Sequence, residues 1–140
     1  MQMGRGKQPS TRPRATGTTA AGLDHVRLTY HYLDTADIDG YGSLFEIDAV
    51  LHGPGLSPLR GRRQIERFQQ LRLGVGGISR HQLDRVFGAN GHVTAIGRYF
   101  STDSDGNEGS VEFADVFTVA PNGLLTSQKT YLYLAGDPAP

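Results

Sequence analysis

From Ser79 onward the sequence has continuous strand character, broken only by turn signals at Asn90-Gly91, around Asp103 to Gly109, and at Asn122-Gly123. Three breaks make four strands, and strands joined by turns this short pair antiparallel, as a meander. Upstream the period changes. Leu23, Val26, Tyr30 and Leu33 fall along one side of a helix that Asp34 to Asp37 interrupts. A short second helix is expected from Asp37, an N-cap residue type, with Ile38, Tyr41, Leu44 and Phe45 on its apolar side. Ala49 to His52 reads as a strand ended by Gly53-Pro54-Gly55. A third helix follows Gly61, with Ile65, Phe68 and Leu71 at three-residue spacing and Gly74, Gly76 and Gly77 closing it. Three helices followed by an antiparallel sheet make an α+β domain, in which the helices cover one face of a curved sheet and the concave side holds a pocket.

Composition narrows what such a pocket can do. The 140 residues suffice for one hydrophobic core. There is no cysteine, which excludes disulfides, thiolate metal sites and cysteine nucleophiles and leaves oxygen and imidazole chemistry. Fourteen basic residues balance fourteen acidic ones, so a nucleic-acid partner is not expected. No apolar run approaches the roughly 20 residues that cross a bilayer, and the first residues are polar where a secretory signal is apolar. The expectation is a cytoplasmic protein without a membrane partner.

Residues 1–22 hold Arg5, Lys7, Arg12 and Arg14, no acidic residue and little that could repay ordering, and are expected to form a flexible basic tail. The folded part, 23–135, would then carry about four net negative charges, followed by a short tail at 136–140. Seven arginines between Arg60 and Arg85 lack interleaved aromatic residues for base stacking and read as a solvated helix face.

The strand Val111 to Val119 carries the sharpest chemical signal. Period-two alternation puts Val111, Phe113, Asp115, Phe117 and Val119 on one face, with Asp115 alone among apolar neighbours. A buried carboxylate costs several kcal/mol unless it is hydrogen-bonded, paired or protonated, so Asp115 is either a functional acid or a core aspartate tied to backbone N–H groups or to Arg98. His81 opens the first meander strand with the parity of Leu83, Arg85 and Phe87, either facing inward or serving structurally. Tyr30 belongs to the apolar stripe of the first helix, where its phenol needs a partner if buried. Strand parity and spacing to Asp115 add Gln128 and Leu132, so the expected pocket is bordered by Tyr30, Leu33, His81, Phe113, Asp115, Phe117, Gln128 and Leu132.

Metal and phosphate motifs fail on inspection. Asp103 to Ala114 has its glycine displaced for a calcium loop and lacks the closing glutamate, the five histidines show no zinc spacing, and Gly74 to Gly77 is not followed by Lys-Ser/Thr. No metal or organic cofactor is expected.

The first helix, the segment Asp37-Ile-Asp39-Gly-Tyr41-Gly-Ser-Leu44-Phe45, the strand Asp48-Ala-Val-Leu-His52-Gly-Pro54, Gly61-Arg-Arg-Gln-Ile65 and Asp115-Val-Phe-Thr-Val-Ala-Pro-Asn-Gly123 together resemble the SnoaL-like proteins of the NTF2-like superfamily over residues 23 to 134. The resemblance implies a cone-shaped α+β fold around a deep apolar pocket, and dimerisation through the sheet. Family members include polyketide cyclases, ketosteroid isomerase, scytalone and bile-acid dehydratases, limonene epoxide hydrolase and non-catalytic accessory domains.

Asp115 matches the isomerase acid that is kept protonated to donate to an oxyanion. Gly53, however, stands where that pattern has its general base, and its first-helix tyrosine aligns with Thr29. The dehydratase pattern matches Tyr30 and His81, with His31 in place of its first-helix aspartate. The final-strand carboxylate of the epoxide hydrolase aligns near Thr130. The resemblance thus implies a cofactor-independent acid–base enzyme acting on a hydrophobic carbonyl compound, a cyclase, dehydratase or isomerase of secondary metabolism, with Asp115, His81 and Tyr30 catalytic. The alternative is a non-catalytic small-molecule binding or accessory domain of the same fold.

Overall fold

A computed structural model describes residues 17–73 and 78–134, apart from the side chains of 17–19, 78 and 79. The expectations for residues 1–16, for the glycines 74, 76 and 77 and for the tail 136–140 lie outside the described residues. The elements are α1 (Gly17–Asp34), α2 (Ile38–Gly42), β1 (Phe45–His52), β2 (Leu59–Arg60), α3 (Arg62–Leu73), β3 (Ile78–Ala89), β4 (His92–Thr102), β5 (Glu108–Val119) and β6 (Leu125–Tyr133). Among the described residues, three helices and one six-stranded sheet make the expected α+β domain. No helix among the described residues is long and apolar enough to cross a membrane.

Helix α1 starts six residues before the first large apolar side chain, so residues 17–22 are helical. The early turns dock through small residues: a Cβ on Gly22 would stand 2.7 Å from Val119 Cγ2. Val26, Thr29, Tyr30 and Leu33 are buried along its inner side. The helix ends in a Schellman motif. Asp37 N–H donates to Tyr32 O (2.8 Å) and Ala36 N–H to Leu33 O (3.1 Å), with Ala36 at φ 58°. Asp37 then caps α2, its Oδ1 accepting from Gly40 N–H at 2.9 Å. Phe45, expected on that helix, instead opens β1, where it is fully buried against Tyr41.

The sheet order is β2-β1-β6-β5-β4-β3. The four-strand meander is present, with Asn90 and Gly91 both at positive φ (54° and 77°) in a tight hairpin turn. One pair departs from the expected antiparallel sheet: β1 lies parallel to β6, through Val50↔Ser127 and Leu51↔Gln128. A parallel neighbour needs a long crossover, here most of the chain, so no local sequence signal announces it.

Strand β3 carries a bulge between Leu83 and Arg85, which bends it. Opposite lies Gly97, where an added Cβ would come 2.1 Å from the Gln82 carbonyl oxygen. Only glycine permits that approach. The core of Val26, Tyr41, Phe45, Ile65, Val93, Phe117 and Leu125 is sealed between helices and sheet, and the site opens above it.

Candidate active site

Cross-strand register stacks the inner face into rows. His81 (β3) stands opposite Tyr99 (β4), and Tyr99 opposite Val111 (β5). Further along, Phe113 faces Leu132, Asp115 faces Thr130 and Phe117 faces Gln128, which in turn faces Leu51 of β1. Helix α1 crosses these rows with Thr29, Tyr30 and Leu33. Phe68, Gln69 and Arg72 of α3, with Gly53, Pro54 and Leu56 of the loop after β1, complete the wall. Together they enclose a mostly apolar cavity of about 320 Å³.

Of the eight pocket residues expected from sequence, seven line this cavity: Tyr30, Leu33, His81, Phe113, Asp115, Gln128 and Leu132. The eighth, Phe117, does not. It has the inward parity but is 0% exposed, lying beneath the cavity floor with its ring edge-on to Tyr30 at 6.5 Å. Parity selects a face and not a depth, and α1 covers this end of the strand.

Asp115 is 4% exposed and held by hydroxyls rather than by a cation. Tyr30 Oη donates to its Oδ2 at 2.6 Å and Thr130 Oγ1 to its Oδ1 at 2.5 Å. Arg98, the alternative partner weighed from sequence, points away and pairs with Glu112 at 2.7 Å on the exposed face. Burial pushes the Asp115 pKa above its ordinary 3.8, against the opposing pull of the Thr130, Tyr30 and Gln128 hydrogen bonds and of the charge on His81. Burial, with the neighbouring Asp115, also raises the Tyr30 phenol well above its usual 10.0. The phenol therefore remains a donor at any physiological pH.

His81 is oriented by a residue that the sequence reading passed over. Asp34, the last residue of α1, accepts the His81 backbone N–H at 2.8 Å through Oδ2 and meets ring Nδ1 at 2.7 Å through Oδ1. A carboxylate at Nδ1 fixes the Nδ1–H tautomer, which leaves Nε2 as the basic nitrogen. The ring is wedged among Tyr30 (5.0 Å between centroids), Tyr99 (4.9 Å) and Phe113 (5.7 Å). The signal for Asp34 was its position one helical turn after Tyr30, which gives it the same outlook. His31, which stands where the dehydratase pattern has its aspartate, is exposed; Asp34 supplies the carboxylate three residues later.

Among the described residues no three His, Asp or Glu side chains converge as metal ligands. The arrangement brings an imidazole (His81) and a phenol–carboxyl pair (Tyr30 and Asp115) into one largely apolar enclosure, groups of the kind that can move a proton on a carbon skeleton.

A family model described as a SnoaL-like domain matches residues 11–128. No curated protein matches. Among solved structures, the protein Bal32a from a soil-derived mobile gene cassette is 25% identical, covering 81% of this chain and 90% of its own, with a TM-score of 0.70. The Δ5-3-ketosteroid isomerase of Mycobacterium sp. is 17% identical over 79% of this chain and 92% of its own (TM-score 0.70). A Mycobacterium tuberculosis protein in complex with estradiol-17β-hemisuccinate is 17% identical over 81% of this chain and 95% of its own (TM-score 0.72).

Proposed function

The chain belongs to the SnoaL-like domain family, and on that premise we propose that it is a cofactor-independent acid–base enzyme acting on a hydrophobic carbonyl compound, by cyclisation, dehydration or isomerisation through an enol. The observation that carries this reading is the Asp34–His81 pair set beside the Tyr30–Asp115 pair in one apolar cavity.

His81 Nε2 removes a proton from the carbon next to the carbonyl, and Asp34 balances the imidazolium that forms. Protonated, Asp115 donates a hydrogen bond to the Tyr30 oxygen, which frees the phenolic O–H to bind the developing oxyanion. The imidazolium then returns its proton, to another carbon in an isomerisation, or to a leaving hydroxyl in a dehydration. In a cyclisation the enolate carbon attacks a second carbonyl of the same molecule, whose oxygen takes that proton. Two proteins of this fold, the ketosteroid isomerase and the protein in complex with estradiol-17β-hemisuccinate, support a hydrophobic ligand of this kind.

Deuterium uptake from D2O next to the carbonyl, measured on a panel of hydrophobic ketones and β-hydroxyketones, tests the proposal. The wild type is expected to catalyse exchange and His81→Ala to lower its rate about 10² to 10⁴-fold. A second reading, a non-catalytic binding domain, is favoured by one observation. Gly53 and Thr130, both on the cavity wall, stand where two related enzyme patterns have carboxylates. Binding of ketones without any exchange would establish it.

The proposal extends to a homodimer through the outer sheet face, where Phe87, Tyr131 and Tyr133 are exposed. Sedimentation at the 15.2 kDa monomer mass would refute that part.

A further inference from the structure

Helix α3 holds Arg62, Arg63, Arg67 and Arg72, and of these only Arg72 reaches the cavity. Its guanidinium is positioned with unusual care. Nε donates to Gln69 Oε1 at 2.9 Å and one terminal nitrogen to Tyr99 Oη at 2.7 Å, while the guanidinium carbon lies 5.4 Å from the centre of the Tyr99 ring. Gln69 is itself buried and fixed by its own bond to Tyr41 Oη at 3.2 Å. The chain Tyr41–Gln69–Arg72–Tyr99 thus aims one cation into the site through neutral partners alone.

None of those partners neutralises it. Among the described residues no carboxylate forms an ion pair with Arg72. Glu66, the only acidic residue of α3, packs instead against Gly42. The two carboxylates nearest the chemistry are otherwise engaged, Asp34 with His81 and Asp115 with Tyr30 and Thr130. A half-buried arginine in an apolar cavity is ordinarily paired with a carboxylate or phosphate, because its donors match a planar anion in pairs. Its second terminal nitrogen has no partner among the described residues.

We propose that Arg72 is a specificity residue that selects hydrophobic ligands bearing an anionic group, a carboxylate or an ionised acidic enol. The inference rests on the reading of this cavity as the ligand site and deepens it by naming the substrate class: an apolar carbonyl compound that is also a monoanion. The carbonyl end meets Tyr30 and His81, and the anionic end meets α3. A neutral ketone of the same size leaves the cation unmatched.

The test is calorimetric binding of two matched pairs, 2-naphthoate against 2-naphthamide and 4-phenylbenzoate against 4-phenylbenzamide, to wild type, Arg72→Gln and Arg72→Lys. The wild type is expected to bind at least one carboxylate ten or more times more tightly than its amide, with the preference shrinking as salt is raised. Arg72→Gln should abolish the preference and leave amide affinity within a factor of two or three, and Arg72→Lys should retain part of it. The inference is overturned if neither carboxylate outbinds its amide in the wild type, or if Arg72→Gln weakens carboxylate and amide alike, the mark of a merely structural arginine.

Because this readout involves no turnover, its failure is separable from that of the enzyme reading. Exchange without anion preference removes the inference alone, and anion preference without exchange removes the enzyme reading alone.

Discussion

Asp34 grips His81 twice, through the backbone N–H and through ring Nδ1, so a single carboxylate at the end of α1 sets both where the first residues of β3 lie and which ring nitrogen is basic. Helix, strand and imidazole are thereby fixed as one unit. The carboxylate touches no reacting atom in the proposed chemistry; it is a positioning residue.

Asp34→Asn is therefore expected to mix the His81 tautomers, visible in the ¹⁵N shifts of the ring, and to lower exchange activity by about 10²-fold or more, the lower part of what a base contributes. Asp34→Glu should recover part of the Nδ1–H signature. An unchanged tautomer in Asp34→Asn would refute the assignment.

Asp115 gives a pH prediction. Its pKa in the folded chain lies above the ordinary 3.8, so between those two values the native state holds a proton that the unfolded chain has lost. Stability contributed by this group is present at low pH and is lost as pH rises through the folded pKa. The neutral amide of Asp115→Asn escapes that loss. Thermal melts of wild type and Asp115→Asn should diverge in favour of the variant as pH is raised from 4 to 8, while its exchange activity falls by about 10² to 10⁴-fold.

Gly97→Ala should be severely destabilising. The new methyl group meets a backbone carbonyl at 2.1 Å and not a yielding side chain, so the cost is expected at or above the top of the usual overpacking range, about 3 kcal/mol. Urea denaturation would measure it, and a loss under 1 kcal/mol would contradict the packing at the bulge.

Phe117→Ala should cost about 3 to 5 kcal/mol, the usual penalty for emptying a core phenylalanine site. Phe117→Leu, which keeps most of the volume, should cost much less and leave ligand affinity nearly unchanged, since Phe117 lies beneath the cavity and does not line it.

The members of the pocket were largely readable in the sequence, and the partners that hold them were not. The helical spacing of Val26, Tyr30 and Leu33, the Asn90-Gly91 turn and the alternation around Asp115 each depend on neighbours within a few residues, and each appears in the structure as expected. The partners of Asp115 and His81 lie far away along the chain, at Tyr30, Thr130 and Asp34. Asp34 was hidden because a carboxylate at a helix end also reads as an ordinary stop. Arg72 was hidden among arginines most of which face solvent, and the docking of α3 over Tyr99 separates it from them. The beginning of α1 was hidden because Ala21 and Gly22 dock by being small, which leaves no apolar stripe to detect.

The parallel seam between β1 and β6 has a consequence for the newborn chain. On the ribosome, Phe45–His52 emerges before its partner Leu125–Tyr133, with α3 and the first three meander strands made in between. Until then the edge of β1 is unpaired, and the cavity lacks the wall that carries Gln128, Thr130 and Leu132. The seam therefore joins a strand made earlier to one made much later, in a slow long-range step. A chain stalled before Leu125 leaves Asp115 without Thr130, so the site comes into being only once β6 has emerged.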